Sequence, residues 1–202
     1  MSFEDKKYTV IRNIISKEIC EFVSDYLRLK RNVARTLYSR KWFPNGPVEE
    51  WGVFGDGQVE KAWSIYSDVT TEILLDRCTS VMENELKLKL IPNYSYTRVY
   101  TKGAELIPHT DRKACEFSTT VNLGGDLWPI YLFPDIKIEL NPGDMLIYKG
   151  TEVAHWRKPF EGRECIQTFL HYNEYRKEGN PPYYDSRPHL GLPSYTKADK
   201  DN

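Results

Sequence analysis

His109-Thr110-Asp111, with His155 lying 46 positions beyond His109 and Arg163 soon after, places two imidazoles and a carboxylate in a stretch that alternates as β-strands do. Two histidines and one carboxylate on three corners of an octahedron make the facial triad that holds non-haem Fe(II). In an extended segment residues i and i+2 share a face. His109 and Asp111 are therefore expected to reach one metal while Thr110 turns away. The third ligand must come from a different strand, which is what His155 offers. Taken singly these residues say little: a lone His-x-Asp arises readily by chance, and an isolated histidine is more often a surface or strand-end residue. The combination is far more specific than its members.

The surroundings carry more. Upstream lie Tyr100-Thr101-Lys102-Gly103 and Leu106-Ile107-Pro108. Between the ligands come Asn122-Leu123-Gly124-Gly125 and Pro142-Gly143-Asp144-Met145-Leu146, and after His155 come Pro159 and Gly162-Arg163. In type and order this resembles the 2-oxoglutarate and Fe(II)-dependent dioxygenases, most closely the prolyl-4-hydroxylase-like branch, over about positions 94 to 172.

The resemblance implies His109, Asp111 and His155 as iron ligands and Arg163 as the salt-bridge partner of the distal carboxylate of 2-oxoglutarate. A guanidinium suits that task, because its planar fork pairs both carboxylate oxygens and keeps its charge. Arg163 follows His155 by eight residues, closer than is usual in the family. Arg157 and Lys158 compete for the role, but both precede Pro159 and read as loop. Tyr100 and Asn122 are the implied further cosubstrate contacts, with Tyr131 behind them, and each would serve equally as core. The implied cofactors are Fe(II), 2-oxoglutarate and O2, with ascorbate (vitamin C) as reductant. An aspartate at 111 implies hydroxylation, since related halogenases carry a small residue there. The implied substrate is a prolyl residue of a peptide or protein, or another amino-acid side chain. Two rivals remain at this point: a nucleic-acid oxidative demethylase, and a non-catalytic cupin-like barrel that binds a metal or a small acid.

Composition narrows the classes. The chain has 202 residues, 40% hydrophobic and 13% aromatic, which suits one globular domain. A net charge of −1 gives no general reason to expect a polyanionic partner. Basic residues near the proposed site (Arg98, Lys102, Arg112, Lys113, Arg157, Lys158) read more simply as a solvated rim. The four cysteines are widely spaced, so reduced thiols and a cytoplasmic location are expected. Neither a signal core nor a membrane-length apolar run is evident, and the oligomeric state is not readable.

The elements that must position the site read as follows. Tyr8 to Ile11 is strand-like, and Ser16 caps a helix whose apolar face is Ile19, Phe22, Val23, Tyr26 and Leu27. Trp42 to Gly57 is a loop placed to cover substrate. A longer helix is expected from Val59 to Met82. From Tyr94 onward the pattern becomes about eight short strands punctuated by Gly and Pro, with Lys137 to Leu140 strictly alternating. The expected fold is α+β: a double-stranded β-helix of the jelly-roll or cupin type, with N-terminal helices packed outside the major sheet. We read one domain over 1–202: a helical support region with the covering loop (1–93), the β-helix core (94–175) and a tail (176–202). The tail is expected to be a flap over the site or a disordered end. His171 and His189 lack a ligand-spaced partner and read as structural.

Overall fold

The computed structural model describes residues 3–198. A single helical turn, α1 (Phe3–Lys6), and strand β1 (Tyr8–Ile11) lead into α2 (Lys17–Ser39). Ser16 caps α2 as expected, its hydroxyl accepting from the Ile19 N–H at 3.4 Å. The buried stripe of α2 is Cys20, Val23, Leu27 and Ala34. Ile19 and Phe22 are exposed instead. A helical stripe is only about 100° wide, and centring it on Val23 and Leu27 leaves both residues on its flank.

The long helix expected from Val59 is two elements. Ala62–Tyr66 is a strand, β3, between β2 (Val53–Phe54) and β4 (Leu90–Thr101), and the helix α3 begins only at Val69 and ends at Leu86. Ala62, Trp63, Ser64 and Ile65 are all buried. A strand covered on both faces loses its alternation, and its apolar run then reads like part of a helix. The boundary is set by Ser67, whose φ is 51°, and by Asp68, whose side chain accepts from the Thr70 N–H at 2.9 Å.

The core strands follow: β5 (Leu106–His109), β6 (Phe117–Gly125), β7 (Ile130–Leu132), β8 (Ile136–Ile138), β9 (Met145–Lys149), β10 (His155–Arg157) and β11 (Glu164–Glu174). Among the described residues there are two antiparallel sheets, β1-β9-β6-β11-β4-β3-β2 and β5-β10-β7-β8. From β4 to β11 the chain passes back and forth between them, which is the winding of a double-stranded β-helix. Strand β11 shows how the layers divide. Ile166, Leu170 and Tyr172 pack outward with Leu27 of α2 and Leu75 and Met82 of α3, while Cys165 and Phe169 turn into the barrel. Both helices thus lie outside the larger sheet, as expected.

The tail to residue 198 is neither a flap over the cavity nor a loose end; residues 199–202 lie outside the described part. It runs as a strap held by two arginines. Arg187, 3% exposed, pairs with Glu72 of α3 at 2.9 Å and donates to the Asn93 carbonyl at 2.9 Å. Asp185 pairs with Arg112 at 2.7 Å. Removing one member of a buried pair leaves an uncompensated charge. Arg187→Met is therefore expected to lower unfolding free energy by about 3–5 kcal/mol, read from the denaturant midpoint at pH 7. A loss below about 1 kcal/mol would show the strap to be superficial.

Candidate metal centre

His109 closes β5 and His155 opens β10, and the two are directly opposed in the antiparallel register of the smaller sheet. Their ring centroids lie 4.3 Å apart. Asp111 leaves β5 beyond His109, and its backbone N–H is tied to the Gly150 carbonyl at 2.8 Å. One ligand atom from each residue can be chosen so that all lie within 4.8 Å of one another. Asp111 Oδ1 stands 3.7 Å from His109 Nε2 and 3.6 Å from His155 Nε2.

The rings are turned for ligation. Each Nδ1 meets the carbonyl two residues back: Ile107 for His109 at 2.8 Å and Val153 for His155 at 3.0 Å. That bond places the proton on Nδ1 and leaves the Nε2 lone pair facing the centre. Burial holds the His155 pKa below its ordinary value despite the neighbouring Asp111 carboxylate, favouring the neutral ring. Tyr148 Oη also sits 3.3 Å from His155 Nε2, so an entering cation displaces only a long hydrogen bond.

Asp111 is held through its other oxygen. Ser118 Oγ donates to Oδ2 at 2.6 Å, and His171 Nδ1 lies 3.0 Å from the same hydroxyl. Burial pushes the His171 pKa down to about 4, so a neutral ring can pass its Nδ1–H to Ser118. The chain His171–Ser118–Asp111 leaves Oδ1 facing both imidazoles. Gly150 keeps room for it: a Cβ there would fall 2.5 Å from Asp111 Oδ2 and 2.4 Å from the Cys115 carbonyl. Two neutral imidazoles and one oriented carboxylate fit a ferrous ion.

The triad opens into a cavity of about 300 Å³. Thr110 borders it rather than turning away, and His171, read from the sequence as structural, forms part of its wall. The signal for His171 was parity, because it shares the inward face of β11 with Phe169. Arg98 lines the cavity and pairs with Asp56 at 2.8 Å and with Gln58 Oε1 at 2.7 Å. Burial alone would raise the Asp56 carboxyl, but Arg98, two backbone N–H groups and Tyr96 hold it at about 2. The expected covering loop does not line the cavity: Gln58, just past its end, does, and Asp56 touches it only through its pair with Arg98. The loop's middle is tied to the tail by Glu49 and Glu50.

Arg163 is not at the site. It is exposed at the foot of β11, and its backbone N–H is bound to Asp126 Oδ2 at 2.6 Å. Arg157, read as loop, is instead the last residue of β10 and 1% exposed. Its proximity to Pro159 misled the reading, since three strand residues suffice to carry it inward. Asn122 is committed to structure: Nδ2 donates to the Leu140 carbonyl at 2.7 Å and Oδ1 accepts from the Gly124 N–H at 3.0 Å. Tyr131 alternates with buried Ile130 and Leu132 and stacks on Trp156, at 5.8 Å between centroids. Tyr100 is fully buried, with an unpartnered hydroxyl.

No protein-family model matches the sequence, and no curated protein matches it. Solved structures do. A prolyl-4-hydroxylase from Pseudomonas putida superposes with a TM-score of 0.59 at 13% identity, covering 84% of this chain and 94% of that one. The chain has the fold of the 2-oxoglutarate and Fe(II)-dependent oxygenases. HygX from Streptomyces hygroscopicus, with nickel and 2-oxoglutarate bound, gives 0.61 at 13% identity over 85% and 84% of the two chains. EctD from S. alaskensis, in its apoform, gives 0.58 at 16% over 85% and 74%. Within the oxygenase fold here, the metal-facing geometry depends on Ser118 as well as on the ligands. Ser118→Ala is expected to weaken Co(II) or Fe(II) binding by about 10–100-fold while leaving the protein folded. Unchanged affinity in an anaerobic metal titration would show that Asp111 needs no orienting partner.

Proposed function

We propose that this protein is an Fe(II)- and 2-oxoglutarate-dependent oxygenase that hydroxylates a C–H bond. The observation that carries the reading is the convergence of His109 Nε2, His155 Nε2 and Asp111 Oδ1 at one end of the barrel cavity. Three protein ligands leave the remaining positions of an octahedral ion open. The chemistry that bound Fe(II) and 2-oxoglutarate supply is O2 activation, with release of succinate and CO2 and transfer of one oxygen atom to substrate. The chain's own contribution is to hold and to shield. The backbone carbonyls of Ile107 and Val153 fix the imidazole tautomers, and Ser118 fixes the carboxylate. Tyr148, Phe169 and Ile130 wall the cavity and limit water around the reacting groups.

For the substrate we propose an amino-acid side chain, with a prolyl residue of a peptide first. The motif order of the prolyl-4-hydroxylase-like branch and the fold likeness to prolyl hydroxylases support it. A nucleic-acid substrate is less favoured by the cavity itself. Both arginines lining it are already engaged, Arg98 with Asp56 and Arg112 with Asp185, so neither is free for a phosphate. A purely binding barrel has no use for a ligand set that leaves half of the metal's positions open.

The test is O2-dependent conversion of 2-oxoglutarate to succinate by the iron-loaded protein, with prolyl peptides offered as substrate. Asp111→Ala is expected to reduce succinate formation by at least about 100-fold. Equal turnover by the variant, or none by iron-loaded wild type, would overturn the assignment.

A further inference from the structure

We propose that Arg98 and Gln58 form a donor edge of the cavity that binds a neutral carbonyl of the substrate, so that the site selects an uncharged amide over a free carboxylate. The inference rests on the oxygenase reading above and names the substrate group that this edge takes. Both residues line the cavity that holds the triad. Arg98 is 6% exposed, and Gln58 stands exposed at the rim.

Each side chain has N–H groups left over. Arg98 Nε and Nη2 donate to Asp56 Oδ2 at 2.9 and 2.8 Å, and Nη2 also donates to Gln58 Oε1 at 2.7 Å. A guanidinium only donates, so that contact sets the Gln58 amide with its oxygen toward Arg98 and its NH2 turned away. Among the described residues neither Gln58 Nε2 nor Arg98 Nη1 has a hydrogen-bond partner, and the nearby Tyr100 hydroxyl takes none of these N–H groups. Nor is Nη1 sealed in the core. The buried side-chain atoms left without partners are Arg31 Nε, Tyr100 Oη and Arg157 Nε, so Nη1 keeps access to the cavity that Arg98 lines.

Charge decides which acceptor suits this edge. Asp56 already supplies the counter-charge of Arg98 and is fixed by four further donors. The Gln58 and Val59 N–H groups reach Oδ1 at 2.9 and 2.7 Å, and the Ser64 and Tyr96 hydroxyls each reach Oδ2 at 2.9 Å. So held, Asp56 does not step aside for an incoming anion. A substrate carboxylate would set a second negative charge beside it, with one guanidinium to serve both. A carbonyl offers two lone pairs and adds no charge. Tyr96 and Phe169, whose rings lie 5.1 and 6.0 Å from the guanidinium carbon, wall the cavity alongside and suit the apolar body of an amide. The ligand class is thus a peptide or capped amino acid presenting an amide carbonyl.

The experiment is calorimetric titration of the protein loaded with Co(II) and 2-oxoglutarate, using N-acetylproline amide and N-acetylproline, which ends in a carboxylate. Wild type is expected to bind the amide about tenfold or more tightly than the acid. Gln58→Leu should weaken amide binding about fivefold or more and leave 2-oxoglutarate affinity unchanged. Asp56→Asn keeps the shape but removes the counter-charge, and should shift the preference toward the acid about tenfold or more. Amide affinity untouched by Gln58→Leu, or a preference unmoved by Asp56→Asn, would overturn the inference. If Asp56→Asn fails to fold, Gln58→Glu carries the charge arm. It replaces the free NH2 with a carboxylate and should weaken amide binding about fivefold or more; no loss would overturn the inference. Loaded protein that binds neither proline compound would also overturn it and leave the oxygenase reading standing. Failure of the Co(II) protein to take up 2-oxoglutarate would instead overturn that reading, and this inference with it.

Discussion

The cross-strand pairing of His109 with His155 is the constraint on which the site depends. Opposed residues of an antiparallel pair hold their side chains a few ångströms apart without further help. Two ligands separated by 46 positions are thereby fixed by main-chain hydrogen bonds of the smaller sheet. What remains is to bring in the carboxylate, which the Asp111 N–H bond to Gly150 and the Ser118 hydroxyl accomplish from the larger sheet's side. The metal centre is thus a junction between the two sheets, and winding the chain alternately through them is what creates it.

The buried charges inside and outside the barrel are managed individually. Asp56 answers Arg98 and Glu72 answers Arg187 at 2.8 and 2.9 Å, and His171 is kept neutral by burial. Each pair also ties a peripheral segment to the core: the end of the 42–57 loop in one case, the tail in the other. Buried charge therefore does structural work in positioning the rim, at a desolvation cost that the hydrogen bonds must offset. The outer helices contribute little chemistry. They cover the outer face of the larger sheet, with Leu27 of α2 and Leu75 and Met82 of α3 in the core beneath them.

Much of this was legible in the sequence because it rests on short-range rules. The His-x-Asp spacing, the Gly- and Pro-punctuated strands and the Ser16 cap are local signals, and the structure carries all three. The misreadings share one cause: they turn on which way a residue faces once strands are stacked. Strand β3 was hidden inside a helical pattern because burial on both faces erased its alternation. Asn122 looked like a ligand contact, yet its amide is spent within β6 on the Gly124 N–H and on the Leu140 carbonyl ahead of β9. Arg163 stood in the expected order, though at a short spacing, but of these two arginines it is Arg157 that is carried inward, by a strand too short to recognise beside Pro159. His171 had no sequence partner at all, since its connection to Asp111 passes through Ser118, 53 positions away in the chain.

The central claim is that the two histidines and Asp111 hold one ferrous ion with positions open for a chelating 2-oxo acid. Anaerobic addition of 2-oxoglutarate to the Fe(II) protein tests it most directly, through the visible metal-to-ligand charge-transfer band. The account predicts a saturable band in the wild type that is absent from Asp111→Ala. A folded, iron-loaded wild type without that band would contradict it.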